Sequence, residues 1–164
     1  MSSSTDPFQS RILIVDDQES NARLLDLALR RGGYLAVTST TQPVDVCTLH
    51  RQNHYDLILL DLQMPRMNGF EVLAALANEL PVDVLILSAD PAQEARCLEA
   101  GAKSFLSKPF VLAEVLVRVA LILRFPLPLQ VATAEIVEEV EKSKSPGAST
   151  TALDETYVNL TFRE

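Results

Sequence analysis

Leu57-Ile-Leu-Leu-Asp61-Leu-Gln-Met-Pro-Arg-Met-Asn-Gly69 is an apolar run that ends on a carboxylate and opens into a loop closed by glycine. An unbroken apolar run followed by turn residues reads as a strand buried on both faces, the habit of a parallel sheet covered by helices. Two further runs share the form: Ile12-Leu-Ile-Val15 before Asp16-Asp17, and Val84-Leu-Ile-Leu87 before Ser88. The shorter and more mixed Tyr34-Leu-Ala-Val-Thr38 and Ser104-Phe-Leu106 suit the sheet edges.

Helical patterns alternate with these strands. They cover Ser20–Arg31, stopping at Gly32-Gly33, then Pro43 to about Gln52, Asn68 to about Glu79, Pro91–Ala100 and Leu112–Leu123. For the fourth, Asp90 is the expected N-cap, Pro91 takes the first helical position and Gly101 follows the end. Five strand–helix units predict one α/β domain over residues 11–124, a doubly wound parallel sheet. Residues 1–10 are polar and expected to be disordered. From Phe125 the chain changes character: the tail 125–164 holds seven acids and three bases, against fourteen and eleven in 11–124. Within it, Val131–Lys142 suits a short amphipathic helix, and Thr156–Phe162 alternates like a strand. The tail reads as a docking segment or as the start of a missing output region.

Composition removes several classes of function. A net charge of −8 and the absence of Trp leave neither a basic footprint nor an aromatic platform for nucleic acid. The apolar stretch Phe110–Leu123 is interrupted by Glu114 and Arg118 and is too short to span a bilayer. The N-terminus has no apolar secretory core. Cys47 and Cys97 form no CxxC pattern, which fits a reducing compartment. A soluble cytoplasmic protein is expected.

The polar residues that follow the strands carry the chemistry. Asp16-Asp17, Asp61, Ser88 and Lys108 all fall at strand carboxyl ends, which share one edge in an open parallel sheet and line its ligand crevice. Three carboxylates converging there repel unless a hard divalent cation joins them, and magnesium accepts one or two carboxylates together with phosphate oxygens. Lys108 and the metal could then both neutralise an incoming phosphoryl group. Asp61, near the middle of the crevice, is the candidate nucleophile. Singly, each residue has a plainer reading: a turn or cap for the acids and Ser88, core for Phe105. Asp90 too could do no more than cap its helix. Cys47, His50 and His54 fall at helical spacing, but with no fourth ligand they read as a core cysteine with two surface histidines rather than a zinc face. Cys97 reads as a small apolar filler.

Together, Ile-Leu-Ile-Val-Asp-Asp17, the Asp61 to Gly69 loop, Leu-Ser-Ala89 and Lys-Ser-Phe-Leu-Ser-Lys-Pro-Phe110 resemble the receiver domain of response regulators. The resemblance covers residues 11–124 and implies a flavodoxin-like (βα)5 fold with strand order 2-1-3-4-5. It implies that Asp61 is the phosphoacceptor and that Lys108 binds the phosphoryl group through a segment whose Lys108–Pro109 peptide is often cis. Magnesium would be held by Asp17, Asp61 and the Gln63 backbone carbonyl, with Asp16 acting through water. Ser88 and Phe105 take the two switch positions, where the family more often has Thr and Tyr. Phe105 brings no hydroxyl for any output step that needs one. Gln63 and Asp90 would flank the hydrolytic water and tune dephosphorylation. The donor would be a phosphohistidine on a sensor histidine kinase or a histidine phosphotransfer protein. Such a chain is a switch, not an enzyme acting on other molecules, and catalyses only its own phosphorylation and dephosphorylation. Two alternatives differ in kind. An unphosphorylated pseudo-receiver conflicts with the complete acidic set, and a haloacid-dehalogenase-like phosphatase needs an acid where Gln63 stands.

The fifth helix is apolar nearly all round, from Val111 through Leu123, with only Glu114 and Arg118, four apart, on its polar side. Such a helix implies a second covered face, and a homodimer or partner surface is expected where it joins helix 4 and strand 5, unless the tail segment Val131–Val140 folds back over it or a missing output domain covers it.

Overall fold

A computed structural model describes residues 6–124. Five parallel strands lie in the order β2-β1-β3-β4-β5: β1 Ile12–Val15, β2 Val37–Thr40, β3 Leu57–Asp61, β4 Asp83–Ser88 and β5 Ser104–Ser107. Five helices cover them: α1 Glu19–Arg31, α2 Val46–Asn53, α3 Gly69–Leu76, α4 Glu94–Glu99 and α5 Leu112–Ile122. The expected fold class and strand order are therefore present.

Two-fold alternation along the strands divides the core in two. Ile12, Ile14, Leu57, Leu59, Leu85 and Leu87 pack with α1 and α5, through Leu25, Leu29, Val115 and Val119. Leu13, Val15, Ile58, Leu60, Val84 and Ile86 face the other way, onto Val46, Val72, Leu73 and Cys97. The side chains of β1 and β3 are 0–1% exposed up to Leu60. Each such Leu, Ile or Val contributes roughly 1.5–3 kcal/mol by leaving water, which is why these strands hold the central places.

The structure shifts several expected boundaries. The second strand begins at Val37 rather than Tyr34, in register with Ile12. Tyr34 is buried instead in the connection from α1, and Leu35 is 62% exposed. The two polar residues that follow, Thr38 and Ser39, are exposed, as an edge strand with one wet side allows. Helices 2 and 4 open as 3-10 turns, Pro43–Asp45 and Pro91–Gln93. The third helix ends at Leu76, short of Glu79.

Order also begins before residue 11. Pro7–Gln9 form a 3-10 turn, the Leu35 N–H donates to the Phe8 carbonyl at 3.2 Å, and Phe8 meets Tyr34 edge to face at 5.9 Å. The disorder expected for residues 1–10 is thus corrected for 6–10, because one apolar ring finds a place on the core. Gly33 makes room for it. Its φ is +98°, and a Cβ there would lie 2.7 Å from the Phe8 ring. The tail 125–164, with its two expected elements, lies outside the described residues.

His50 is the second correction. It is 1% exposed rather than on the surface. Its Nε2 donates to the Leu80 carbonyl at 2.9 Å, and its Nδ1 accepts the Tyr55 N–H at 3.2 Å, which fixes the Nε2–H tautomer. His54 is exposed, at the left-handed end of α2. Cys97 is buried as expected, and Cys47 is half-buried against the same core.

Candidate functional site

Parallel pairing brings the strand carboxyl ends into line. In register, Leu60 of β3 faces Val15 of β1 and Ile86 of β4, so the residues just beyond them meet at one edge. Ser88 pairs with Ser107, and the Lys108 N–H donates to the Ser88 carbonyl at 2.7 Å. The ladder thereby delivers Lys108 to the same edge, through a cis Lys108–Pro109 peptide.

There the side chains converge. Asp16, Asp17 and Asp61 each place one carboxylate oxygen within 4.8 Å of the others. Lys108 Nζ lies 3.2 Å from Asp61 Oδ1 and 3.7 Å from Asp16 Oδ2. Asp16, Asp61, Ser88 and Lys108 are all buried. Burying four polar groups is costly unless each is compensated, and one ammonium against three carboxylates leaves a deficit of positive charge. The deficit is visible in the acids. Burial pushes the Asp61 carboxyl up to about 6, with Lys108 opposing and Asp16 adding to the rise. Burial likewise raises Asp16, again against Lys108. Asp16 Oδ2 and Asp17 Oδ1 are buried with no hydrogen-bond partner among the described residues. Three converging carboxylates, two of them with a buried oxygen that has no hydrogen-bond partner, fit a hard divalent cation.

The neighbouring groups are held locally. Asp16 Oδ1 accepts the Gln18 N–H at 2.9 Å, a turn that stops the strand and starts the approach to α1. The Gln63 N–H points back to Asp61 Oδ1 at 3.4 Å, while Gln63 itself is exposed. Ser88 Oγ accepts the Asp90 N–H at 3.2 Å. Asp90 spends its own oxygens on the Ala92 N–H and on Gln93 Nε2, each at 3.0 Å, so the expected cap is present. Phe105 is 5% exposed and packs in the core behind this edge, beside α3 and α4.

A family model of the response regulator receiver domain matches residues 12–120. The chain belongs to that family. The receiver is 37% identical over 117 residues to the transcriptional regulatory protein PrrA of Mycobacterium tuberculosis, an alignment covering 70% of this chain and 50% of that one. It is 30% identical over 157 residues to the response regulator MprA of Mycobacterium leprae, covering 94% and 68% respectively. The chain thus spans about half the length of the first of these relatives. Among solved structures, the receiver domain of the Francisella response regulator 1452 superposes with a TM-score of 0.66 at 26% identity, covering 71% of this chain and 98% of that one.

Three features of the receiver's site are not apparent from strand-end reasoning. Gly69 packs where a Cβ would come within 2.8 Å of Leu62 Cα and 3.0 Å of the Asp61 carbonyl oxygen, so the acceptor loop folds back onto its own start. The signal available for it was only its place at the loop's end. Asn68 and Glu71 form a reciprocal capping box on α3, a pattern readable as Asn-x-x-Glu. Arg66 donates to Gln42 Oε1 at 3.3 Å, tying the acceptor loop to the β2–α2 loop beside a small cleft that Asp17 also lines. That contact is tertiary and has no local signature.

Proposed function

We propose that this receiver is the phosphoacceptor of a two-component phosphorelay, with Asp61 taking its phosphoryl group from a phosphohistidine. The donor is a sensor histidine kinase or a histidine phosphotransfer protein. The observation that carries the reading is the meeting of Asp16, Asp17 and Asp61 with the Lys108 ammonium at one buried strand edge. An Asp61 carboxylate oxygen forms the new bond to phosphorus as the P–N bond breaks, and the bonding pair leaves with the imidazole. Lys108 can leave Asp61 Oδ1 for a phosphoryl oxygen without leaving the crevice. Ser88 Oγ already accepts a hydrogen bond, which frees its O–H to donate to the phosphoryl group. Phe105 stands behind it as the aromatic switch position.

The residues present fit magnesium, which Asp17, Asp61 and the Gln63 backbone carbonyl would hold, with Asp16 acting through water. When bound it would neutralise charge on the phosphoryl oxygens. Gln63 and Asp90 flank the approach of hydrolytic water and set the lifetime of the phosphorylated state, in the range of minutes or less. The receiver turns over no other substrate, and its work is cytoplasmic. Its altered state is read at the face of α4, β5 and α5, by a second copy or a partner. Acetyl phosphate and magnesium should add one acid-stable, hydroxylamine-labile phosphoryl group, seen by intact-mass spectrometry, to the wild type and not to Asp61→Asn. Equal phosphorylation of the two would overturn the assignment.

A further inference from the structure

β4 ends at Ser88, and the chain passes from there through the 3-10 turn Pro91–Gln93 into α4. The start of that connection is tied to the switch hydroxyl, since Ser88 Oγ accepts the Asp90 N–H at 3.2 Å. The Asp90 backbone is therefore held beside the phosphoacceptor edge. Its carboxylate is held separately, at two points. Oδ1 accepts the Ala92 N–H at 3.0 Å, and Oδ2 accepts the Gln93 side-chain amide, also at 3.0 Å.

The two bonds do different things. The bond to Ala92 suffices to cap the turn. It leaves the carboxylate free to rotate, because the terminal torsion of an Asp side chain is broad and roughly two-fold. The bond from Gln93 removes that freedom. Asp90 and Gln93 are both half-buried, whereas Pro91 and Ala92 between them are exposed and carry no side-chain donor. An ionised carboxylate offers about four acceptor sites, so a doubly bonded Asp90 still has sites for water.

We propose that Gln93 is a positioning residue for loss of the phosphoryl group: by fixing Oδ2 it keeps the free acceptor sites of Asp90 turned toward the attacking water. The proposal rests on the reading of Asp61 as phosphoacceptor and of Asp90 as one flank of the water path. In that step the water oxygen forms the new bond to phosphorus and one of its protons passes to a phosphoryl oxygen. The bond from phosphorus to the Asp61 oxygen breaks, and its electron pair returns to the carboxylate. Asp90 accepts a hydrogen bond from the water and orients it. Gln93 touches neither water nor phosphorus and acts only through Asp90.

The test uses the full chain, Gln93→Ala and Gln93→Glu, and both substitutions again in an Asp90→Ala background. Each protein is loaded with acetyl phosphate and magnesium, freed of donor and followed by intact mass. Loading of the two single variants should match the wild type, because transfer onto Asp61 uses no water. Loss of the phosphoryl group should slow at least about threefold in each. Gln93→Glu keeps the size of the side chain and replaces its donor with an acceptor, so a packing role alone would leave its lifetime unchanged. In the Asp90→Ala background neither substitution should alter the lifetime further. An unchanged lifetime in Gln93→Glu, or slowing that persists without Asp90, would overturn the role of Gln93 and leave Asp61 as acceptor. Slowed loading alongside slowed loss would also overturn it, since the defect would then lie in Ser88. A wild-type chain that takes no phosphoryl group at Asp61 would overturn both readings together.

Discussion

Asp61 is the residue on which the fold and the proposed chemistry oppose each other. Its folded-state pKa of about 6 stands above the ordinary value of 3.8. A raised carboxyl contributes stability that is complete below pH 3.8 and lost as pH rises through 6, because the native state holds the proton longer than the unfolded chain. The cation-free receiver is therefore strained at neutral pH. With chelator present, Asp61→Asn is expected to raise unfolding stability at pH 7.5 by about 1–3 kcal/mol, the gain vanishing near pH 4. Urea denaturation at the two pH values checks this, and a variant less stable at both would contradict it. Gly69→Ala is expected to cost about 1–3 kcal/mol, since the added methyl meets backbone rather than a movable side chain; the same denaturation series reads it. The acids, Ser88 and Lys108 were legible in the sequence because each follows an apolar strand, and parallel strands must end together. His50 was not. Its spacing on α2 looks like that of a surface residue, and only the Leu80 carbonyl, thirty residues away, makes its burial tolerable.

Among the elements, the three central strands were legible nearly to the residue, because continuous apolar runs admit few other placements. β2 was not, since Tyr34-Leu-Ala resembles a strand locally while pairing with β1 selects Val37–Thr40. The 3-10 openings of the second and fourth helices were hidden for a similar reason: Pro43 and Pro91 mark a helix start without distinguishing the first turn's type. At the fourth helix, Asp90 binds both the Ala92 N–H and Gln93. Asp90→Ala is accordingly expected to lower stability by about 1 kcal/mol. Thermal unfolding measures that loss, and timed dephosphorylation of the same variant measures the second role. A changed stability with an unchanged lifetime would leave Asp90 as a cap and place the tuning on Gln63 alone.

For the whole molecule, no described helix is long and apolar enough to cross a membrane. The face proposed for a second copy or a partner includes part of α5. Val115, Val119, Ala120 and Ile122 are buried against the sheet, whereas Leu121 is 59% exposed, and Leu98 on α4 is 44% exposed. Arg118 reaches Ser104 Oγ on β5 at 3.4 Å, which joins the face to the edge strand. Sedimentation of the full chain and of a version ending at Arg124, each with and without a phosphoryl analogue, is expected to show analogue-dependent association. Monomers throughout would remove the dimer. Beneath that readout lies the claim that Asp61 itself becomes an acyl phosphate when magnesium is present. Borohydride converts an aspartyl phosphate to homoserine, so reduction followed by peptide mass spectrometry locates the acceptor directly. After treatment with acetyl phosphate and magnesium, homoserine is expected at position 61 and nowhere else, and chelator should abolish it. Homoserine at another acid, or none at 61 under conditions that add phosphate to the intact chain, would contradict the account.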